Sequence, residues 1–323
     1  MLFLSALAQV LPVFLLILAG ALLRRLRFFQ PATIADLKKL IVNATLPAAL
    51  FLAFGTVQIQ PAYLLIVAAV FGACLLVLFL ARPLGPWVGV DSVYFPSLLT
   101  GFEAGMMGYA IFGAVYGAAN IYKFGIVDLG QVLFVFFVLV PGLTRMAQPD
   151  GSISFRTTLL GFLRTPVILA IVGGLLFQAL GLTARFTAHP LLDGMLEAVR
   201  LLGAMTTPLV ALAIGYELTL RPGALRAPAR TAALRVLIWL PAGLLFAWLV
   251  VGRLLGLDPV FQAAVLTMVL LPGPFVIPIF MRANPARPLQ AEADANYVVN
   301  TLTLGTLFTL AAYAFVPLLF PPA

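Results

Sequence analysis

Ten apolar runs, each long enough to cross a membrane, follow one another along this chain. They fall at about 3–22, 38–55, 62–81, 91–118, 121–144, 164–182, 192–217, 232–252, 257–281 and 292–319. Hydrophobic residues fill 63% of the 323 positions and charged residues 9%, whereas a soluble domain is about 45–50% apolar and about 25% charged. So little charge excludes a soluble fold and predicts an all-α integral membrane protein with ten transmembrane helices.

Lys and Arg are distributed unequally between the connections that join these runs. The odd-numbered connections hold fifteen of them, if Arg235 is counted with the connection before the eighth run, and the even-numbered ones hold Lys123, Arg185 and Arg253. Because basic residues stay on the cytoplasmic side, both termini are expected outside a bacterial inner (plasma) membrane. The net charge of +8 therefore indicates orientation and not binding to nucleic acid.

The sequence offers little to an enzyme. The single Cys74 has no disulfide partner, and one histidine, His189, rules out most histidine-based metal or triad chemistry. A zinc-protease motif and a nucleotide-binding loop are also missing from the sequence. We therefore do not expect an enzyme.

An internal repeat relates the two halves of the chain. Pro12-Val13-x-Leu15-x-Ile17-x-x-Gly20 recurs as Pro166-Val167-x-Leu169-x-Ile171-x-x-Gly174 (offset 154), Thr45-Leu46-Pro47 as Thr206-Thr207-Pro208 (offset 161), and Gly89-x-Asp91-x-Val93 as Gly256-x-Asp258-x-Val260 (offset 167). Each copy holds five spans, so the second copy is inverted. Residues 1–145 form the first predicted repeat, 146–163 a cytoplasmic linker and 164–323 the second repeat. Inverted repeats are typical of secondary transporters, which bind cargo near the midplane.

Helix-breaking residues stand at matching places in the fourth run (about 91–118) and the ninth (about 257–281). With the offset of 167, Gly105 lies opposite Pro272. Since proline removes a backbone donor and glycine weakens a helix, free backbone is expected at Gly105 to Gly108 and at Pro272, Gly273 and Pro274, where it can bind a charged ligand. The alternative is close packing through small residues in the fourth run, spaced as in Gly101-x-x-x-Gly105.

Glu103 is the most informative polar residue because it lies in the middle of the fourth run. An acidic side chain there costs about 2.5–3.5 kcal/mol on insertion scales, so it should face a polar cavity, pair with a cation or stay protonated. The functional interpretation is a group that binds a coupling proton or cation. The alternative is a structural hydrogen bond to a neighbouring helix.

Other polar residues within the runs complete the predicted binding site. They are Asp128 and Gln131 in the fifth run, Asn296 and Asn300 in the tenth, and Asn43 and Thr45 at a proline kink in the second. Lys123 is a candidate ion-pair partner for Asp128. Asp258 is expected to cap the start of the ninth helix.

These motifs resemble the auxin efflux carrier (PIN-like) family in its short bacterial form, over nearly the full length. The resemblance is carried by Leu46-Pro47-Ala48, Phe102-Glu103-x-Gly105-x-x-Gly108-Tyr109, Asp128-x-Gly130, Pro272-x-Pro274 and Thr301-Leu302. It implies two inverted five-helix repeats of the sodium/proton antiporter and bile-acid transporter type. It also implies a scaffold from spans one, two, six and seven beside a mobile unit that contains the crossed fourth and ninth helices.

The resemblance further implies a secondary active transporter of a small organic anion, such as an auxin, malate or malonate, working by an elevator or rocking motion. The family usually has Asn where Glu103 stands and Pro where Ala110 stands. A carboxylate repels an anion unless it is protonated or paired with sodium, so H⁺ or Na⁺ is the expected coupling ion, with no other cofactor.

Two alternatives remain open: a passive uniporter or channel, and a proton-coupled transporter of a cationic or neutral solute. The expected partners are a small-molecule substrate and membrane lipid. A homodimer through the scaffold helices is a further expectation.

Overall fold

The structure is a computed structural model that describes residues 2–147, 154–221, 223–281 and 290–322, in which all regular secondary structure is helical. The ten runs, in order, form Leu2–Arg25, Pro31–Phe54, Pro61–Ala81, Phe95–Tyr116 with a break, Ala118–Ala147, Pro166–Ala179, Pro190–Glu217, Arg226–Leu254, Pro259–Leu270 followed by Ile277–Met281, and Ala291–Leu319. Short helices at Leu84–Val88, Phe155–Leu163 and Leu182–Thr187 lie in the connections.

Eight helices in the described residues are long and apolar enough to cross a membrane. The number is nine if Phe155–Leu163 and Pro166–Ala179, which are bent by 60° relative to each other, form one span. Large apolar side chains such as Leu18, Phe79 and Leu237 are exposed along these helices, as expected where the surface meets lipid and not water. The prediction of an all-α, multi-pass membrane protein is confirmed.

Two of the long helices contain the kinks that their prolines predict. The second run passes through a π-helical turn at Ile41–Thr45, just before Pro47. The seventh run is interrupted at Met205, between Pro190–Ala204 and Thr206–Glu217, just before Pro208. In both, the proline cannot donate the hydrogen bond that would close the preceding turn, so the local helix geometry changes.

Part of the predicted linker 146–163 is helical, since Phe155–Leu163 forms a helix that leads into the sixth run. Its centre, 148–153, lies outside the described residues, as do Arg282 and Arg287 of the charge count, which fall in 282–289. The limits of the two repeats and of the linker therefore stay predictions.

Candidate functional site at the meeting of two broken helices

The fourth and ninth runs are both broken, and the breaks meet. In the fourth run, Phe95–Leu99 ends at Thr100, whose backbone is extended (φ −116°, ψ 160°), and the chain becomes helical again from Ala104. In the ninth run, Pro259–Leu270 ends before Leu271 and Ile277–Met281 follows. The Glu103 amide donates a hydrogen bond to the Pro272 carbonyl (3.0 Å), which joins the breaks directly.

The break of the fourth run lies one turn before the predicted one. Residues Gly105 to Gly108 are helical, as part of a π-helical turn at Ala104–Gly108, so the predicted interruption at these residues is wrong. Free backbone remains in the first turn, where the Met106 amide donates to the Glu103 side chain. The break occurs instead where Gly101 adopts φ +63°, with no room for a side chain beside the Pro274 ring. Gly108 allows close packing, because a Cβ atom there would collide with Phe124 and Leu271.

In the ninth run, the predicted interruption at Pro272, Gly273 and Pro274 is confirmed. Gly273 lies close to the Leu98 carbonyl of the fourth run, so the two broken helices are in contact on both sides of the breaks.

The Glu103 carboxylate connects the two helices that start after the breaks. Its Oε2 accepts a hydrogen bond from the Phe275 amide (2.6 Å), and its Oε1 accepts one from the Met106 amide (3.3 Å). The side chain is buried, with a relative exposure of 9%. Amides at a helix start carry partial positive charge and favour an anion, so the carboxylate lies where the backbone stabilises negative charge. This is the interhelical hydrogen bond of the structural interpretation.

Arg235 from the eighth run provides the opposite charge for the helix ends that precede the breaks. Its guanidinium donates to four carbonyls: Leu98 (3.0 Å), Gly101 (2.5 Å), Leu271 (3.1 Å) and Pro272 (3.4 Å). The side chain is only 5% exposed. Helix C-termini carry partial negative charge, so a cation placed among these carbonyls stabilises both half-helices. Glu103 thus accepts hydrogen bonds from backbone amides freed at the breaks, and Arg235 donates hydrogen bonds to the freed carbonyls.

Sequence reasoning missed Arg235 because it was counted among the loop cations. It lies well inside the helix Arg226–Leu245, one turn before Trp239. The Trp239 indole donates to the Leu99 carbonyl (2.7 Å), and the Phe102 ring packs on both Trp239 and the guanidinium, with 4.8 Å between centres in each case. The available signal was an Arg and a Trp spaced i,i+4 within an apolar run, which places both on one helix face.

Asp128 and Gln131 join the site as a hydrogen-bonded chain. Asp128 accepts from the Tyr109 hydroxyl (2.9 Å) and from the Gln131 side-chain amide (2.9 Å). The Gln131 Oε1 accepts from the Phe102 amide (3.2 Å), next to Glu103. The fifth run therefore holds the first broken helix at its break.

Lys123 does not pair with Asp128. Its Nζ lies 2.8 Å from Asp258 Oδ1, so the candidate pair suggested by the sequence is wrong. Asp258 also accepts from the Val260 amide (2.9 Å), which confirms the predicted cap of the ninth helix. A partner 135 residues away in the sequence links the start of the fifth run to the start of the ninth.

The other predicted site residues lie away from the breaks. Asn300 is buried and uses its side chain on the backbone of Arg221, accepting from the amide (2.7 Å) and donating to the carbonyl (3.2 Å). Asn296 is half-buried on the same helix. Asn43 is exposed and donates to the Lys39 carbonyl of its own helix (2.8 Å).

Thr45 and Thr206 occupy equivalent positions in the two kinks. Both are buried, with exposures of 0% and 5%, and neither hydroxyl has a hydrogen-bond partner among the described residues. Both kinks contact the π-helical turn Ala104–Gly108. Thr45 therefore belongs to the surroundings of the breaks, and Thr206 is a second such residue that the repeat relates to it.

Thr45→Val and Thr206→Val are expected to raise the free energy of unfolding by about 1 kcal/mol each, because each removes a buried hydroxyl that has lost its hydrogen bonds to water. Thermal unfolding in detergent measures the change. Thr301→Val is the matched control, since the Thr301 hydroxyl bonds the Tyr297 carbonyl (2.7 Å) and its removal should not stabilise the protein. Destabilisation by both substitutions would show that the two hydroxyls have partners.

A cavity of about 670 Å³ lies beside the breaks, between the first, second and seventh runs on one side and the ninth and tenth on the other. It reaches Phe275, whose amide holds Glu103. Arg24, Lys38 and Arg221 line it, together with Glu217, which forms an ion pair with Lys38 (2.9 Å). We call it the basic cavity, because its cations outnumber its carboxylates.

Comparison with protein-family models and with curated proteins gives no match. The interpretation of the site therefore depends on its geometry. That geometry combines a buried carboxylate, a buried guanidinium and a basic cavity at the place where two helices are interrupted.

Proposed function

We propose that the protein is a secondary transporter of a small organic anion, with Glu103 as the group that binds a coupling proton. The observation that carries this proposal is the basic cavity, which is lined by Phe275, the residue whose amide donates to Glu103 where the two broken helices meet. Transporters bind cargo and coupling ions at interrupted helices of this kind. A cavity with more cations than carboxylates attracts an organic acid and repels a cationic solute.

The proposal includes ten spans in two inverted repeats, and matching contacts support it. Gly20 of the first run lies against the Leu212 carbonyl of the seventh, and Gly174 of the sixth lies against the Phe51 carbonyl of the second. The two contacts are equivalent in the repeat, because the offset of 154 relates Gly20 to Gly174 and the offset of 161 relates Phe51 to Leu212. Thr45 and Thr206, with their unpartnered hydroxyls, are related by the same 161.

The proposal also specifies how the proton takes part. The Glu103 carboxylate already occupies the position where two helix starts favour an anion, so a carboxylate cargo meets a like charge there. Protonation of Glu103 removes this repulsion. Cargo and proton would therefore bind together and move in the same direction, with the basic cavity open to the cytoplasm as the distribution of Lys and Arg predicts.

The test is counterflow in proteoliposomes preloaded with a panel of mono- and dicarboxylates and amines, with and without sodium. We expect saturable exchange of at least one carboxylate. Flux that neither saturates nor shows counterflow would identify a channel. Exchange of amines alone would contradict the proposal that the cargo is an organic anion.

Arg221→Gln is expected to raise the KM for the transported carboxylate by about fivefold, because one partly solvated charge contributes about 1 kcal/mol. Arg221 lines the basic cavity. Arg164→Gln is the matched control, since Arg164 is exposed and lies away from this cavity. An unchanged KM in Arg221→Gln, measured with the same carboxylate, would remove the basic cavity from the cargo path.

A further inference from the structure

A second cavity, of about 340 Å³, has a hydrophobic lining and shares none of its lining residues with the basic cavity. The third, fifth, eighth and ninth runs contribute its walls, among them Ala73, Val127 and Met268. Cavities that bind small molecules measure about 300–1,000 Å³, so this one is large enough to hold a ligand. Among the described residues that line it, none has an ionisable side chain, which distinguishes it from the basic cavity.

The cavity opens on the side of the eighth run that faces away from the protein core. Leu245 and Leu249 line it and are 58% and 46% exposed. Both lie in Arg226–Leu254, a helix long and apolar enough to cross a membrane. An opening at this position leads into the hydrocarbon layer of the bilayer and not into water.

The floor of the cavity is formed by two aromatic rings of the site described above. Phe102 and Trp239 line it, and the Trp239 indole N–H is already bonded to the Leu99 carbonyl. Neither ring therefore offers a polar group to an occupant. Apolar cavities of this kind exclude water and take apolar guests.

We infer that this cavity is a binding site for an acyl chain of a membrane lipid, which enters between the third and eighth runs. The opening faces hydrocarbon and the walls are apolar. The described lining residues offer no polar group that would bind a headgroup or a polar solute. The end of the chain would contact Phe102, whose other neighbour is the Arg235 guanidinium (4.8 Å). The acyl chain would thus pack on the outer face of Phe102 and help to exclude water from the Arg235 side chain. This inference is independent of the transported substrate.

The test uses Trp239 as an internal probe. The sequence has three tryptophans, so Trp87→Phe with Trp248→Phe leaves Trp239 alone. This protein is placed in bilayers of phosphatidylcholine with or without bromine at the middle of the acyl chains, since bromine quenches a tryptophan that it touches. Trp239 is only 4% exposed, so the surrounding side chains separate it from lipid outside the protein and the cavity is the direct route for a brominated chain. We expect brominated lipid to lower the Trp239 emission about twofold, because a chain in the cavity would come within contact distance of the indole ring.

Ala73→Phe and, as a second variant, Ala69→Phe fill the cavity from the third run and are expected to abolish most of the quenching. Ala68→Phe is the matched control, because Ala68 is exposed on the same helix and does not line the cavity. Equal emission in the two lipids overturns the inference, provided that a protein with Trp248 as its only tryptophan is quenched. Full quenching in both filled variants also overturns it, since the bromine would then reach Trp239 by another route.

Discussion

Arg235→Met is expected to lower the free energy of unfolding by about 3 kcal/mol or more. Four buried carbonyls lose their donor, and each unsatisfied buried acceptor costs about 1–3 kcal/mol. Replacing a buried ion pair by apolar residues is often neutral, because the cost of burying the charges disappears with them. That compensation fails here, since the acceptors are main-chain groups that remain when the side chain is removed.

Thermal unfolding in detergent measures this effect, and Arg235→Lys is the informative comparison. Lysine retains the charge and three donors but lacks the planar fork that reaches carbonyls of two helices at once, so it should recover part of the lost stability. Arg253→Met is the matched control, because Arg253 lies in the same helix and its guanidinium packs on the exposed Trp248 ring. A melting temperature of Arg235→Met equal to that of the native protein would show that the carbonyls find other donors.

Glu103→Gln is expected to make carboxylate uptake independent of pH, and to lower it by about tenfold at the pH where the native protein is fastest. Native uptake rises as the external pH falls if a proton travels with the cargo, and glutamine cannot carry that proton. The loss of rate has a structural cause. Both carboxylate oxygens accept from main-chain amides, and the glutamine NH₂ turns one of those contacts into an encounter of two donors, which costs about 1–3 kcal/mol.

Uptake is measured in proteoliposomes over a range of pH, with Glu197→Gln as the matched control. Glu197 is an exposed glutamate of the seventh run that pairs with Arg200 (2.8 Å), so its replacement should leave the pH profile unaltered. If Glu103→Gln takes up cargo as the native protein does at every pH, Glu103 is not the coupling group.

The membrane class and the helices could be predicted because hydropathy is a local property of the sequence. The position of the first break could not. Gly101, Gly105 and Gly108 look alike in the sequence. In the structure Gly101 alone of the three has a positive φ, and it packs against Pro274, which is distant in the sequence. The break of the ninth run was found because Pro272, Gly273 and Pro274 follow one another, and a glycine between two prolines weakens a helix much more than one proline does. Single prolines are tolerated, since Pro12 and Pro241 lie inside continuous helices.

The charged part of the site was harder to predict because its partners are distant in the sequence. Glu103 stood out, since an acidic residue in an apolar run has a recognisable cost. Arg235 did not, because what it binds is backbone from two other runs, and backbone carbonyls leave no mark in a sequence. Lys123 was assigned to a near neighbour when its partner is Asp258. Sequence spacing identifies ion pairs within a helix and misses those between helices.

The grip of Asn300 on the main chain of Arg221 has a mechanical consequence. Thr303, one turn further along the tenth run, also donates to the Thr219 carbonyl (2.9 Å). The segment that follows the seventh run is thus hydrogen-bonded to the tenth run at two points, Thr219 and Arg221. If the tenth run slides with the broken helices during a transport cycle, the Arg221 guanidinium travels with it. A bound anion would then cross the bilayer together with the positive charge of Arg221, and the two would not have to separate at the entrance.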